Sequence, residues 1–363
     1  STQGYSSAAS DVYKRQRNTM QMMNRHIFVL FLSIFYLTAK AQEGKSAFDF
    51  LNLPISSHIN ALGGNNISII EEDVSVIQHN PALLGPEMNL QLNLNYMRYV
   101  AGINLAGATF AKAAGERGAW AAAIQYAGYG SMKQVEANGV ITGTFSPKDM
   151  SISGFYAHDI TDRLRGGIQA KFLYSSYEQY TSLALAIDLG INYYNPDNQL
   201  SLSIAFKNLG GQLKKYNENR DKMPWDIQLG LSKTLDHAPF RFSITAQHLS
   251  RWKLPYTAPT TGEYNSSEDE IKEKGNFATD LFRHLVFGID YIPSRNLYIA
   301  LGYNYKYRSD MQTYGRNFLS GFTVGAGIKV KMFGIGASLA QQHVGGTTFM
   351  FNLTTNISQF IQH

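Results

Sequence analysis

At 363 residues the chain could hold two or three soluble domains, but only 16% of its residues are charged, against about 25% in typical soluble chains. Its 22 Tyr, 21 Phe and 32 Gly suit a large β-structure between two environments, and with no cysteine it has no disulfide, thiol nucleophile or Cys-held zinc. The net charge of +5 does not indicate a polyanionic partner, because residues 1–41 carry five basic groups and one acid and account for +4 of it.

Residues 1–22 read as non-native upstream sequence and are set aside. From Met23 a basic start, an apolar run over 27–37 and a small-x-small close at Ala39-Lys40-Ala41 have the form of a signal peptide, spanning 23–41. The apolar run is shorter than the roughly twenty residues a membrane-spanning helix needs. Cleavage after Ala41 leaves a mature chain starting at Gln42. For that chain two classes remain, a secreted or periplasmic soluble protein and an outer-membrane barrel.

Residues 42–88 do not alternate. Gly63-Gly64, Glu71-Glu72-Asp73 and Asn80-Pro81-Ala82 suggest turns and short helices. From Asn89 onward the pattern has period two. Leu183, Leu185, Ile187, Leu189, Ile191 and Tyr193 form one apolar row; Ala184, Ala186, Asp188, Gly190 and Asn192 form the other. Such segments predict fourteen strands at 89–99, 101–113, 117–129, 148–159, 163–176, 181–194, 198–209, 225–235, 239–250, 283–292, 296–308, 318–330, 332–342 and 347–358. Most are long enough to cross a bilayer at a tilt, and the polar row is mostly Ser, Asn, Gln, Gly and Ala, so the expected fold is a transmembrane antiparallel β-barrel over 89–363. A lumen of that width is not filled by wall side chains alone, and 42–88 has the size of an N-terminal plug.

Compact turns alternate with a set of connections that includes the three long ones, at 130–147, 210–224 and 251–282. Strand parity then puts residues 42–88 and the carboxyl terminus on the periplasmic side and the long connections outside. The stretch 251–282 combines Trp252, Tyr256 and Tyr264 with Pro255 and Pro259, the makings of a partner-binding loop. Its acidic run over 263–273 reads as solvated in preference to calcium-binding.

Catalytic motifs are missing. Ser250-Arg251-Trp252-Lys253 matches Ser-x-x-Lys without its companion motifs, and Gly325-x-Gly327 and Gly334-x-Gly336 lack a following helix, so they read as close packing or strand bending. The chain reads as a non-enzyme with no catalytic, metal or cofactor-binding residues and no nucleic-acid partner.

Gly63-Gly64, the acidic Glu71-Glu72-Asp73 and Asn80-Pro81-Ala82-Leu83 together resemble the hatch of FadL-like outer-membrane barrels. Within that group, the stretch from Phe50 to Ser56 (Phe-Leu-Asn-Leu-Pro-Ile-Ser), Ala61-Leu62-Gly63-Gly64 and Asn80-Pro81-Ala82-Leu83-Leu84 resemble the PorQ family of the type IX secretion system. That resemblance implies a multi-pass barrel in the lipid of the bacterial outer membrane, part of an attachment complex. It would anchor a PorZ-like surface partner and work with PorU-like and PorV-like proteins to attach secreted cargo to lipopolysaccharide. The broader resemblance implies the alternative, a transporter of hydrophobic small molecules. A lateral gap between strands and an apolar pocket under the hatch would mark the transporter; a closed wall and polar lumen would mark the anchor.

Overall fold

The two rows of each alternating segment become the two faces of one closed wall. The computed structural model describes residues 48–136, 139–216, 221–254, 277–311, 318–343 and 346–358, all within the unit Gly44–His363. The expected signal peptide, the start at Gln42, Tyr256, Tyr264 and the acidic run lie outside the described residues.

The first three wall strands are β1 (Gln91–Arg98), β2 (Asn104–Ala113) and β3 (Gly118–Gly128). A separate hairpin, β4 (Met132–Val135) with β5 (Ile141–Phe145), rises from the connection that follows. The wall resumes with β6 (Lys148–Thr161), β7 (Leu164–Tyr177), β8 (Tyr180–Asn195), β9 (Leu200–Lys214), β10 (Asp226–Thr234) and β11 (Phe240–Ala246). It ends with β12 (Leu285–Ser294), β13 (Leu297–Asn304), β14 (Phe322–Val330), β15 (Phe333–His343) and β16 (Gly346–Asn356). Neighbours pair antiparallel, and β16 pairs back onto β1, so fourteen strands close a barrel.

Burial is inverted relative to a soluble barrel. On β8, Leu185 and Ile187 are 47% and 43% exposed on the outside, whereas Asp188 between the outer rows is 0% exposed inside. An apolar outer belt with a polar interior is the arrangement that hydrocarbon surroundings select. No helix among the described residues is long and apolar enough to cross a membrane.

All fourteen expected wall strands are present, and the differences lie at their ends. Residues 277–284, expected as loop and strand, form helix α2 (Phe277–His284). Residues 305–308, expected as strand, belong to helix α3 (Tyr305–Asp310), where the Asn304 side chain caps the amides of Lys306 and Tyr307. β9 runs on to Lys214, past a bulge at Asn208, whose φ is 56°.

Residues 48–88 occupy the lumen, in short 3-10 turns and helix α1 (Ser57–Ala61). They hydrogen-bond or pack against inward-facing residues around the wall, from Gly167 and Gly190 on β7 and β8 to Asn352 on β16. Parity is corrected at the start of this segment. Phe48 and Phe50 pack with Met97, Leu105, Ala127, Leu173 and Met223 at the loop end, while Met88 precedes β1 at the turn end. The segment traverses the lumen, which a count of strands does not register.

Candidate functional site

The lumen segment is keyed to the wall by small residues. Gly63 and Gly64 take φ of 97° and 88°, a conformation that side chains disfavour. The Gly63 amide donates to Thr323 Oγ1 at 2.8 Å, that hydroxyl donates to the Ala61 carbonyl at 2.6 Å, and Asn304 Nδ2 donates to the Gly63 carbonyl at 3.0 Å. A methyl at Gly63 would overlap Val286, and one at Gly64 would lie 3.1 Å from the Tyr307 hydroxyl.

Asn80, Pro81 and Ala82 form the second key. Asn80 caps the turn Pro81–Leu83: its Oδ1 accepts from the Ala82 amide at 2.9 Å, and its Nδ2 donates to the Ile67 carbonyl at 2.9 Å. The turn presses on Gly167 and Gly190, where an added Cβ would collide with Pro81 and with Asn80 Oδ1. The same logic places Gly288 beside Leu62, Gly325 beside Ala61 and Gly336 beside Ser57. Gly325 and Gly336 thus belong to close packing between hatch and wall.

Two buried charge clusters complete the junction. His58 Nε2 donates to Asp290 Oδ1 at 2.7 Å and Nδ1 to Glu71 Oε2 at 2.9 Å, while Arg241 bridges the same two carboxylates at 2.8 and 2.7 Å. The His58 ring stacks on Tyr298 with centroids 3.6 Å apart. Burial alone would depress the imidazole, but Glu71 and Asp290 outweigh it and raise its pKa to about 9. Around the wall, Asp188 lies 2.7 Å from both Lys171 and Lys207. Lys207 donates to the Gln78 carbonyl at 2.6 Å, and Asp188 Oδ1 accepts the Asn208 amide at the bulge. Burial, then the charges of Lys207 and Lys171, push His79 down to about 3, so it stays neutral.

These partners escaped the sequence reading. The available signal was an isolated charge on an otherwise uncharged inner row, as at Asp188; nothing local showed what each charge meets. Toward the turn end the lumen widens into an open cavity of about 970 Å³, bordered by Glu71, Asp73, Glu87, Arg165, Arg241 and Lys329.

Of the proposed partner-binding residues, Trp252 is described: it is exposed at the loop end and stacks on Phe277 and His284, with centroids 5.4 and 5.1 Å away. Ser250 of the Ser-x-x-Lys match donates to the Trp225 carbonyl at 3.1 Å. Among the described residues no group of three or more His, Asp or Glu is placed to hold a metal ion.

Solved structures of hydrocarbon channels are similar to this closed fourteen-strand barrel. CymD, a monoaromatic hydrocarbon channel, matches with a TM-score of 0.51 at 11% identity, over 85% of this chain and 99% of its own. A deletion mutant of the monoaromatic hydrocarbon channel TodX matches at 0.50 and 12%, over 83% and 98%. The toluene transporter TodX of Pseudomonas putida matches at 0.49 and 12%, over 85% and 98%. No family model and no curated protein matches the sequence. The chain therefore shares the closed-barrel fold of CymD and the TodX mutant.

Proposed function

We propose that the chain is a non-enzymatic barrel of the outer membrane, which anchors a surface partner and conducts no substrate. The observation that carries this reading is the hatch: it is seated on inward glycines and tied to the wall by buried ion pairs at His58, Glu71, Asp290 and Arg241. Moving it would strand buried charges, at about 3–5 kcal/mol for each broken pair. The wall supports the same reading. β3 pairs with β2 and β6 in unbroken register from end to end, and of the two register shifts between β8 and β9 one lies at Leu183/Ala184 and the other spans Asp188, opposite the bulge at Asn208. Toward the turn end the lumen is bordered by charged Glu71, Arg165 and Arg241, and toward the loop end Phe48 and Phe50 fill it with apolar packing.

Together with the resemblance to the PorQ family, this gives the specific form of the proposal. The barrel holds a PorZ-like protein at the surface, alongside PorU-like and PorV-like proteins that attach secreted cargo to lipopolysaccharide. The connection 251–282, with Trp252, Tyr256 and Tyr264, serves as the docking loop.

The second reading is a channel for hydrophobic small molecules, and the solved neighbours favour it over the first, since CymD and the TodX mutant are hydrocarbon channels. Purification of the native barrel in mild detergent separates the two. Stoichiometric co-purification of a surface protein that is lost from cells lacking the barrel is expected. A barrel that purifies alone, from cells that lose hydrocarbon uptake when it is deleted, would establish the channel instead.

A further inference from the structure

Helix α2 is amphipathic in the sense opposite to a soluble surface helix. Phe277, Leu281 and Phe282 face outward, with Phe277 70% and Phe282 47% exposed, while Arg283 and His284 are fully buried. The buried pair is tightly held. Arg283 donates to the Leu254 carbonyl at 2.6 Å, to Ser309 Oγ at 3.1 Å and to Asp310 Oδ1 at 2.8 Å. The His284 ring nitrogens lie 2.8 and 3.0 Å from the carbonyls of Gln247 and Trp252. The orientation of the helix is therefore fixed from within, and its apolar edge is left facing away from the barrel.

What covers that edge follows from what it continues. α2 passes without a linker into β12, and the Phe282 ring lies 6.4 Å from Phe287, an outward residue of the wall, and 6.1 Å from Tyr305. On the adjoining connection Phe318, 83% exposed, stacks on Phe322 at 6.1 Å, and Phe322 packs against outward-facing Tyr303 at 4.8 Å. The outward aromatics of β12, β13 and β14 thus extend above the strands onto the helix. Aromatic girdles of this kind mark the boundary between hydrocarbon and headgroups.

We propose that α2 is an interfacial membrane anchor, its Phe277, Leu281 and Phe282 edge seated among the acyl chains of the leaflet at the loop end. This rests on the outer-membrane barrel reading and is common to the anchor and channel functions. An interfacial helix buries its apolar face about 5–10 Å into that boundary, so α2 would hold the base of the 251–282 connection at the membrane surface.

The lack of native cysteine allows a direct test on the full chain. Single variants Phe282→Cys, Leu301→Cys and Val140→Cys are labelled with bimane and refolded into phosphatidylcholine vesicles containing lipids brominated on their acyl chains. Leu301 is an outward wall residue, and Val140 sits on the connection carrying the β4–β5 hairpin. Quenching at position 282 is expected to approach that at 301 and to exceed that at 140 severalfold. Phe277→Cys provides the same readout if the Phe282 variant does not refold. Quenching at 282 and 277 no greater than at 140, with 301 strongly quenched, would overturn the anchor helix. Absence of quenching at 301 would instead overturn the barrel reading on which it depends.

Discussion

Replacing Asn80 by Leu tests whether the hatch is keyed to the wall as the contacts describe. Asn80 is fully buried, and its side chain alone satisfies the Ile67 carbonyl and the Ala82 amide, both at 2.9 Å. Leucine leaves both groups without those bonds, at about 1–3 kcal/mol each. Leucine has nearly the branched outline of asparagine, so the loss comes from these bonds and not from added bulk against Gly190. Partial relaxation of the turn offsets some of this, so a loss of about 3–5 kcal/mol is expected. Equilibrium unfolding in vesicles and the temperature at which the folded band disappears on unboiled gels both report it. A cycle with Gly190→Ala sharpens the test: the glycine variant alone should destabilise by at least about 1 kcal/mol, and less when Asn80 is already alanine. An unchanged melting profile for Asn80→Leu, or strictly additive effects in the cycle, would refute the proposed keying.

Stability should peak near pH 6.5. His58, raised to about 9, contributes stability that is complete below its unfolded value of 6.5 and is lost as pH rises toward 9. His79, lowered to about 3, contributes stability present above 6.5 and lost as pH falls toward 3; His58→Gln should flatten the alkaline limb and His79→Gln the acidic one in unfolding titrations. Asp188→Ala should destabilise the barrel by about 3–5 kcal/mol by leaving Lys171 and Lys207 facing each other, and the same unfolding assay should find much of that recovered when all three become Leu or Met. Deleting residues 257–274 should leave the heat-resistant barrel band intact while releasing surface partner from whole cells, measured by immunoblot of the medium; full retention would move docking to another connection.

The wall was legible because each inner and outer row has its own chemistry, repeated fourteen times, and because compact turns alternate with longer connections. Asn304 shows where that legibility ends. Period two continues into Tyr305, but a side-chain cap on the next two free amides favours a helix there, a competition the alternation does not register. The hatch motifs were legible locally: the double glycine requires positive φ, and Asn80-Pro81 forms a capped turn. Their partners were not. His58 meets Asp290 across 232 residues of sequence, and Lys207 meets the Gln78 carbonyl across 129. Only the closed wall brings such distant residues together. The wall glycines at 167, 190 and 336 gave a visible signal, a missing side chain on the inner row, whose meaning depended on what lay opposite.

If the hatch stays in place while the protein works, locking it there leaves function unchanged. A Cβ at Gly336 would lie 3.8 Å from that of Ser57, a typical spacing for a disulfide, and no native cysteine competes. Cells carrying Ser57→Cys with Gly336→Cys are compared before and after oxidation for uptake of a labelled monoaromatic hydrocarbon and for retention of the surface partner. Uptake no greater than in cells lacking the barrel, with full partner retention in both states, is expected. Barrel-dependent uptake that stops on oxidation and returns on reduction would contradict it.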